Sequence, residues 1–490
     1  MDALIYQTAS RLAQAIQNRE ATSEDVVRAH LDHIDKHNAA LNAIVILTAE
    51  TALQHARAAD EALARGEVWG PLHGVPMTIK EAFEIEGLKT TVNFKLYKNH
   101  VAEEDALVVT RLKKAGAVIL GKTNIPPLLA DYQADGPIYG RSNNPYDLTR
   151  TPGGSTGGGA AAVAAGLSPL ELGSDMGGSV RVPTHFCGLY GLKPTEHTIP
   201  LHGHMPRTPK LKGRVLHMAN FGPLARSLED VKMAFDIIKG PDHRDVGVAP
   251  IQWKPPSGRA LSDYRLAWTD TFGPHTAGRE TCLWLENLAQ ELAQRGATIS
   301  KQNPPHFDFE KAWEVWGNVF GYVLGEDMPP PVRVVSRIRW AMLSRGQAAK
   351  GVRKGLRVSF VQYARTLKKR EDFIAQLQAF FDEVDCWLCP VSMTPAFPHC
   401  KPGTPIVVDG RKVDYLVAAG AFATIFNMTG HPALIIPLGQ SSEGLPIGLQ
   451  IVGPYWSEPE LFHFAERLAP LTPGFQAPKG YGITYGRMEI

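Results

Sequence analysis

The chain has 490 residues, 44% hydrophobic and 20% charged, with a formal net charge of +2. That is ordinary globular composition with room for a large core, and length alone would allow two or three domains. The near-neutral charge excludes a global field for nucleic acid, and five cysteines in so long a chain form no disulfide framework.

The opening MDALIYQTASRLAQ lacks the basic-then-apolar pattern of a signal peptide. No apolar run reaches the roughly 18 residues of a membrane span. A reducing cytoplasm is the expected compartment. Residues 1–66 read as helices. Leu12 and Ile16 are an i, i+4 pair, Thr22 with Asp25 is a capping box, and Val27, Leu31 and Ile34 form the stripe that follows. Residues 70–125 alternate strand and helix. Val75, Met77 and Ile79 alternate as in a half-buried strand over 74–80, and Lys80 sits at its end on the opposite parity. A helix over 104–115 and a strand over 117–120 follow. The pattern predicts an α/β fold, a mixed central sheet wrapped by helices.

The stretch 149–195 holds two glycine-framed serines, Ser155 in GGSTG and Ser179 in GGSVR, 24 residues apart. Glycine lets main-chain N–H groups approach a bound group with no Cβ in the way, and such N–H groups can stabilise an oxyanion. A plain turn, a small-residue helix and a second turn would fit the same residues. A nucleophile elbow does not fit, because Asn143–Asp147 and Arg150–Pro152 are loop composition where a buried strand is needed. A phosphate loop fails too, since no Gly-Lys-Ser/Thr ends the glycine run. Asp175 and Arg181 flank the second serine and are expected as a buried pair bracing its loop.

GVPMTIKE at 74–81, GKTN at 121–124 and the two serine loops, in this order, resemble the amidase signature family of serine hydrolases. The resemblance extends upstream over 21–45 and downstream over FNMTGHPALIIPLG (426–439) and GLPIGLQIVGP (444–454); between about 200 and 380 it is not evident. It implies Lys80 as base, Ser155 as bridging serine behind a cis Gly154–Ser155 peptide, and Ser179 as nucleophile. It also implies oxyanion donors on Met176, Gly177, Gly178 and Ser179, and an acyl-pocket wall at Leu129. Two departures stand out. Thr156 replaces a usual second serine, and EHTIPLHGHMP follows Pro194-Thr195 where a Gly-Arg continuation is usual.

A serine hydroxyl is a weak nucleophile without a base. Lysine can act as that base only if burial lowers its pKa from about 10.4. The implied activity is therefore hydrolysis of a small-molecule carboxylic amide, with esters and carbamates in reach, through an acyl-enzyme. No cofactor or metal is expected, the histidines showing no HExxH or similar spacing. One alternative is a glutamine-hydrolysing subunit of a tRNA-dependent amidotransferase, which typically has Gln after the loop arginine where Val182 stands here. The other is a catalytically silent binding protein, against which the intact Lys80, Ser155 and Ser179 count.

Farther on, the Pro-rich 249–258 reads as a surface linker, 264–268 and 297–300 as strands and 277–295 as a helix, together a small insertion rather than a domain. Trp313, Trp316, Phe320 and Tyr322 lie at helical spacing, as core or as substrate-channel wall. Residues 331–370 carry twelve Lys or Arg and no Asp or Glu. That stretch suits a solvated face, a subunit contact, steering of an acidic substrate, or peripheral docking on an anionic membrane surface. Cys386 and Cys389 fall in DCWLCP, read as a buried strand rather than a redox pair. The chain closes with strands in 426–454 and a helix over 458–468. Residues 1–490 are thus expected as one domain, with homodimerisation open by analogy with similar folds.

Overall fold

Eleven strands form one mixed sheet in the computed structural model, which describes residues 2–205, 217–245, 247–248, 250–326, 328–357 and 359–481. Across the sheet the order is Ile44–Leu47, Val118–Thr123, Pro76–Lys80, Leu170–Asp175, Asn220–Ala225, Tyr190–Lys193, Ala433–Gln440, Pro446–Val452, Cys386–Pro390, Arg265–Trp268 and Thr298–Lys301. Pro76–Lys80 runs parallel to both its neighbours, and Arg265–Trp268 does the same at the far end; the remaining pairs are antiparallel. Part of the variable stretch, residues 206–216, lies outside the described residues.

The strand ending at Lys80 departs from the expected alternation. All five of its residues are buried, because a parallel strand in the middle of the sheet is covered on both faces. One cover is the helix Gly157–Ala164, every residue of which is glycine, alanine or valine and buried. A Cβ on Gly158 would lie 2.4 Å from the Asn124 nitrogen and 2.7 Å from the Ala43 oxygen. Only a bare backbone lets this helix sit so close.

Ile44–Leu47 is a strand inside the stretch expected to be helical. It pairs antiparallel with Val118–Thr123. A four-residue apolar run has too few positions to reveal its period. Before it, the helix Ser23–Leu41 starts on the expected capping box, with Thr22 Oγ1 accepting from the Asp25 N–H at 3.0 Å.

The middle of the chain divides in two. Arg265–Trp268 and Thr298–Lys301, joined through the helix Arg279–Gln294, extend the main sheet from Cys386–Pro390. The helices Phe309–Gly325, Pro330–Leu343, Gln347–Gly355 and Phe360–Glu383 follow. Among them Pro330–Leu343 buries no side chain, and Val335 and Met342 are 65% and 82% exposed. No helix among the described residues is long and apolar enough to cross a membrane. Cys386 and Cys389 are buried, unpaired thiols within a strand.

Candidate active site

Lys80 and Asp175 end adjacent parallel strands, in register through Thr78 with Glu171 and Ile79 with Leu172. Sites in α/β sheets form beyond such carboxyl ends. The loop after Asp175 carries Ser179, and Ser155 and Thr156 lie just before the helix Gly157–Ala164.

Lys80 is fully buried. Its Nζ is 2.7 Å from Ser155 Oγ, 2.9 Å from Thr156 Oγ1 and 3.1 Å from the Ser174 carbonyl oxygen. The Gly154–Ser155 peptide is cis, as expected. Burial pushes the Lys80 amine down to about 7, against the opposing pull of Asp175 and Glu171. A neutral amine has two N–H donors and one lone pair. The Ser174 carbonyl can only accept, so it takes one N–H. Thr156 Oγ1 takes the other, and the lone pair is left for the Ser155 hydroxyl proton. Thr156 is therefore more than a tolerated departure, since it helps to aim the amine. Thr156→Val keeps the shape and removes the oxygen. We expect kcat to fall roughly fivefold to tenfold, the value of about 1 kcal/mol for one lost hydrogen bond, with Thr156→Ser near wild type in steady-state kinetics.

Ser179 is half-buried, and its carbonyl accepts from the Thr156 N–H at 3.1 Å. No hydrogen bond joins the Ser155 and Ser179 hydroxyls among the described residues. Gly178 has φ +104°, which a side chain would strain, and its N–H donates to Asp175 Oδ1 at 2.8 Å. The Gly178 N–H is thus engaged by Asp175, which leaves Met176, Gly177 and Ser179 as the open N–H groups of the expected four. Within the loop, the N–H groups of Met176, Gly177 and Ser179 have no acceptor among the described residues. All three residues are half-buried, whereas Asp175, Gly178 and Val180 are buried.

Asp175 and Arg181 form the expected buried pair. Arg181 Nη2 and Nε reach Asp175 Oδ1 and Oδ2 at 3.0 and 3.1 Å. The carboxylate also accepts from the Val180 N–H at 3.0 Å and from Asn427 Nδ2 at 2.9 Å. Burial alone would raise this carboxyl, but the Arg181 guanidinium outweighs it and holds the group well below the usual carboxylate range. Arg181 Nη1 donates onward to the Ala423 carbonyl at 2.7 Å and Gln450 Oε1 at 2.9 Å. The loop is thus tied to the helix Tyr415–Met428 and to the closing strand Pro446–Val452.

Leu129 lies half-buried in the turn Pro127–Leu129, packed with Leu128 on Ala82, Val92, Ile125 and Met205. The aromatic row divides. Trp313 is core, its Nε1–H donating to the Ala421 carbonyl at 2.9 Å, and Tyr322 stacks on Tyr363 at 3.8 Å. Trp316 reaches the serine loop: its Nε1–H donates to the Met176 carbonyl at 3.0 Å, beside a Tyr132 hydroxyl that donates to the Gly177 carbonyl at 2.7 Å. In the linear chain Trp316 is one aromatic in a row, and Tyr132 carries no signal.

Among the described residues one trio could offer atoms to a metal, Glu196, His197 and His217. His197 Nε2 and His217 Nδ1 each lie 3.6 Å from Glu196 Oε1. Arg370 already donates to Glu196 Oε2 and stands 3.5 Å from His217 Nδ1, so a guanidinium occupies the place of a cation.

The chain is similar to known proteins over most of its length. The model of the Amidase family matches residues 25–462. A glutamyl-tRNA(Gln) amidotransferase subunit from Acidothermus cellulolyticus is 31% identical over 500 aligned residues, covering 96% of this chain and 95% of that protein. An acylamidase of Rhodococcus erythropolis is 31% identical over 458 residues, covering 91% and 92%. The structure of a 6-aminohexanoate cyclic dimer hydrolase superposes with a TM-score of 0.80 at 25% identity, covering 97% of this chain and 99% of that one. With a lysine amine buried against two hydroxyls beside a glycine-rich serine loop, and a family match across most of its length, the chain belongs to the amidase family, whose amidase-signature enzymes act on amide carbon–nitrogen bonds.

Proposed function

We propose that this amidase hydrolyses small-molecule carboxylic amides through an acyl-enzyme on Ser179. The observation that carries the reading is the buried Lys80 Nζ, 2.7 Å from Ser155 Oγ, whose pKa burial lowers to about 7 so that a large share of the amine is neutral at physiological pH. In this reading Ser179 turns toward Ser155 once substrate fills the site, a tightening common in occupied active sites. Lys80 takes the Ser155 proton as Ser155 takes that of Ser179. Ser179 Oγ bonds to the carbonyl carbon, and the N–H groups of Met176, Gly177 and Ser179 receive the oxyanion. The C–N bond then breaks, the proton returns through Ser155 to the leaving amine, and water releases the acid. Leu129 walls the acyl side. Esters and carbamates present a similar carbonyl to the same nucleophile.

A second reading has specific support. Relatives at 31% identity are amidotransferase subunits, which would make glutamine the substrate and a second subunit the partner. Val182 after Arg181 weighs against it. A panel of anilides, aliphatic amides, esters and glutamine, run on wild type and Ser179→Ala, separates the two. Turnover of several amides without a partner supports the first reading. Glutamine alone, or nothing until a partner is added, supports the second.

Residues 1–490 are read as one domain, since strands from Ile44 to Val452 share one sheet, and the compartment is read as the cytoplasm. The same proposal places the helix Pro330–Leu343 on an anionic membrane surface. Its exposed Val334, Val335, Ile338 and Met342 share the helix with Arg333, Arg337 and Arg339 and no acidic residue, and that charge disfavours pairing this face with a second copy in a homodimer. Co-sedimentation with phosphatidylglycerol but not phosphatidylcholine vesicles is the expected result. Indifference to both, with a dimer in light scattering, would refute it.

A further inference from the structure

We infer that Trp316 is a positioning residue that sets the direction of the Gly177 oxyanion N–H, with Tyr132 holding the adjoining peptide plane; the inference rests on the hydrolase reading above. A trans peptide carries its C=O and N–H on opposite sides of one rigid plane. The only cis bond in the described backbone is Gly154–Ser155, so the Met176–Gly177 and Gly177–Gly178 peptides are trans. The Met176 carbonyl is held by Trp316 Nε1–H at 3.0 Å, so the Gly177 N–H of that peptide must face away from Trp316. The Gly177 carbonyl is held by the Tyr132 hydroxyl at 2.7 Å, so the Gly178 N–H faces away from Tyr132, where Asp175 receives it at 2.8 Å. Two side-chain donors and one buried carboxylate therefore fix two successive peptide planes. Among the described residues the Gly177 N–H is left without a partner, at the half-exposed edge.

The fit is close. A Cβ on Gly177 would sit 2.8 Å from Trp316 Cζ2, so the indole presses on the loop backbone with no room for a side chain. Trp316 itself stacks on Phe320 at 5.0 Å with planes 13° apart, which fixes the indole from behind. Both come from the helix Phe309–Gly325, in the part of the chain where the family motifs are not evident. The variable helical segment thus supplies the clamp for the family's shared chemistry, and a change in that segment reaches the reaction through one indole N–H. Preorganised donors stabilise a transition state only while their direction is fixed. Loosening a peptide plane should then cost turnover and spare ground-state binding.

Tyr132→Phe removes only the hydroxyl, and Trp316→Phe removes the indole N–H while keeping an aromatic. Removing one oxyanion donor outright costs about 10²–10³ in kcat, so letting the Gly177 N–H rotate in Trp316→Phe should cost about tenfold, with a smaller loss in Tyr132→Phe and a double variant no worse than outright loss of that donor. KM on the best amide of the panel should stay within about twofold. Affinity for a trifluoromethyl ketone, which becomes tetrahedral on Ser179, should fall in step with kcat. Trp316→His, which keeps a ring N–H, should recover part of the loss, and Tyr132→Phe should melt near the wild-type temperature. Variants that turn over and bind the ketone like wild type would overturn the inference, as would a raised KM at unchanged kcat, which would make Trp316 a substrate wall. A wild-type enzyme inert to both amides and a fluorophosphonate would instead overturn the hydrolase reading, and this inference with it.

Discussion

Lys80→Ala is expected to lower kcat by about four orders of magnitude or more while leaving the protein folded. Deleting the base of a serine nucleophile in comparable catalytic sets costs on the order of 10⁴–10⁶, because the hydroxyl then has nowhere to send its proton. The fold should survive, since the strand Pro76–Lys80 is held by parallel ladders on both sides and the substitution relieves a buried amine. Lys80→Arg should be equally inactive, since a guanidinium cannot deprotonate in a protein. The pH profile gives an independent check. Burial depresses the amine to about 7, with Asp175 and Glu171 as the opposing charges. The competent form is the neutral one, so kcat/KM should rise with pH and level off above an apparent value near 7. A profile that falls through that range, or a Lys80→Ala enzyme of near-normal rate, contradicts the assignment.

Arg181→Leu should be the most destabilising single change at the site. Arg181 and Asp175 have no exposed side-chain surface. Removing the guanidinium strands a carboxylate in the core, at a cost of about 3–5 kcal/mol. It also unties the loop from Ala423 and Gln450. Chemical denaturation should show the midpoint falling at unchanged slope, with activity lost even where the protein stays folded. A midpoint within error of wild type would mean that the pair is dispensable.

What sequence could show and what it could not divide along one physical line. Lys80, Ser155 and Ser179 sit in short contiguous motifs whose residue types carry the chemistry. The Thr22–Asp25 capping box and the closing helix Glu458–Leu468 rest on local periodicity in the same way. Features that depend on partners remote in sequence stayed hidden. Ile44–Leu47 became a strand because Val118–Thr123 lies beside it. The Gly178 N–H is engaged because Asp175 folds back onto it. Thr156 looked like a neutral replacement until the Ser174 carbonyl fixed the orientation of the amine. The basic stretch was legible as charge only. Within it Arg370 is buried against Glu196 and Lys354 pairs with Glu314, neither of which linear spacing can announce.

The most direct measurement is peptide mass spectrometry of the wild-type protein after reaction with a fluorophosphonate probe. One adduct is expected, on the Ser179 peptide, forming faster as pH rises through about 7 and absent in Ser179→Ala and Lys80→Ala. An adduct on any other residue, or undiminished labelling in Ser179→Ala, would contradict a Ser179 nucleophile driven by Lys80.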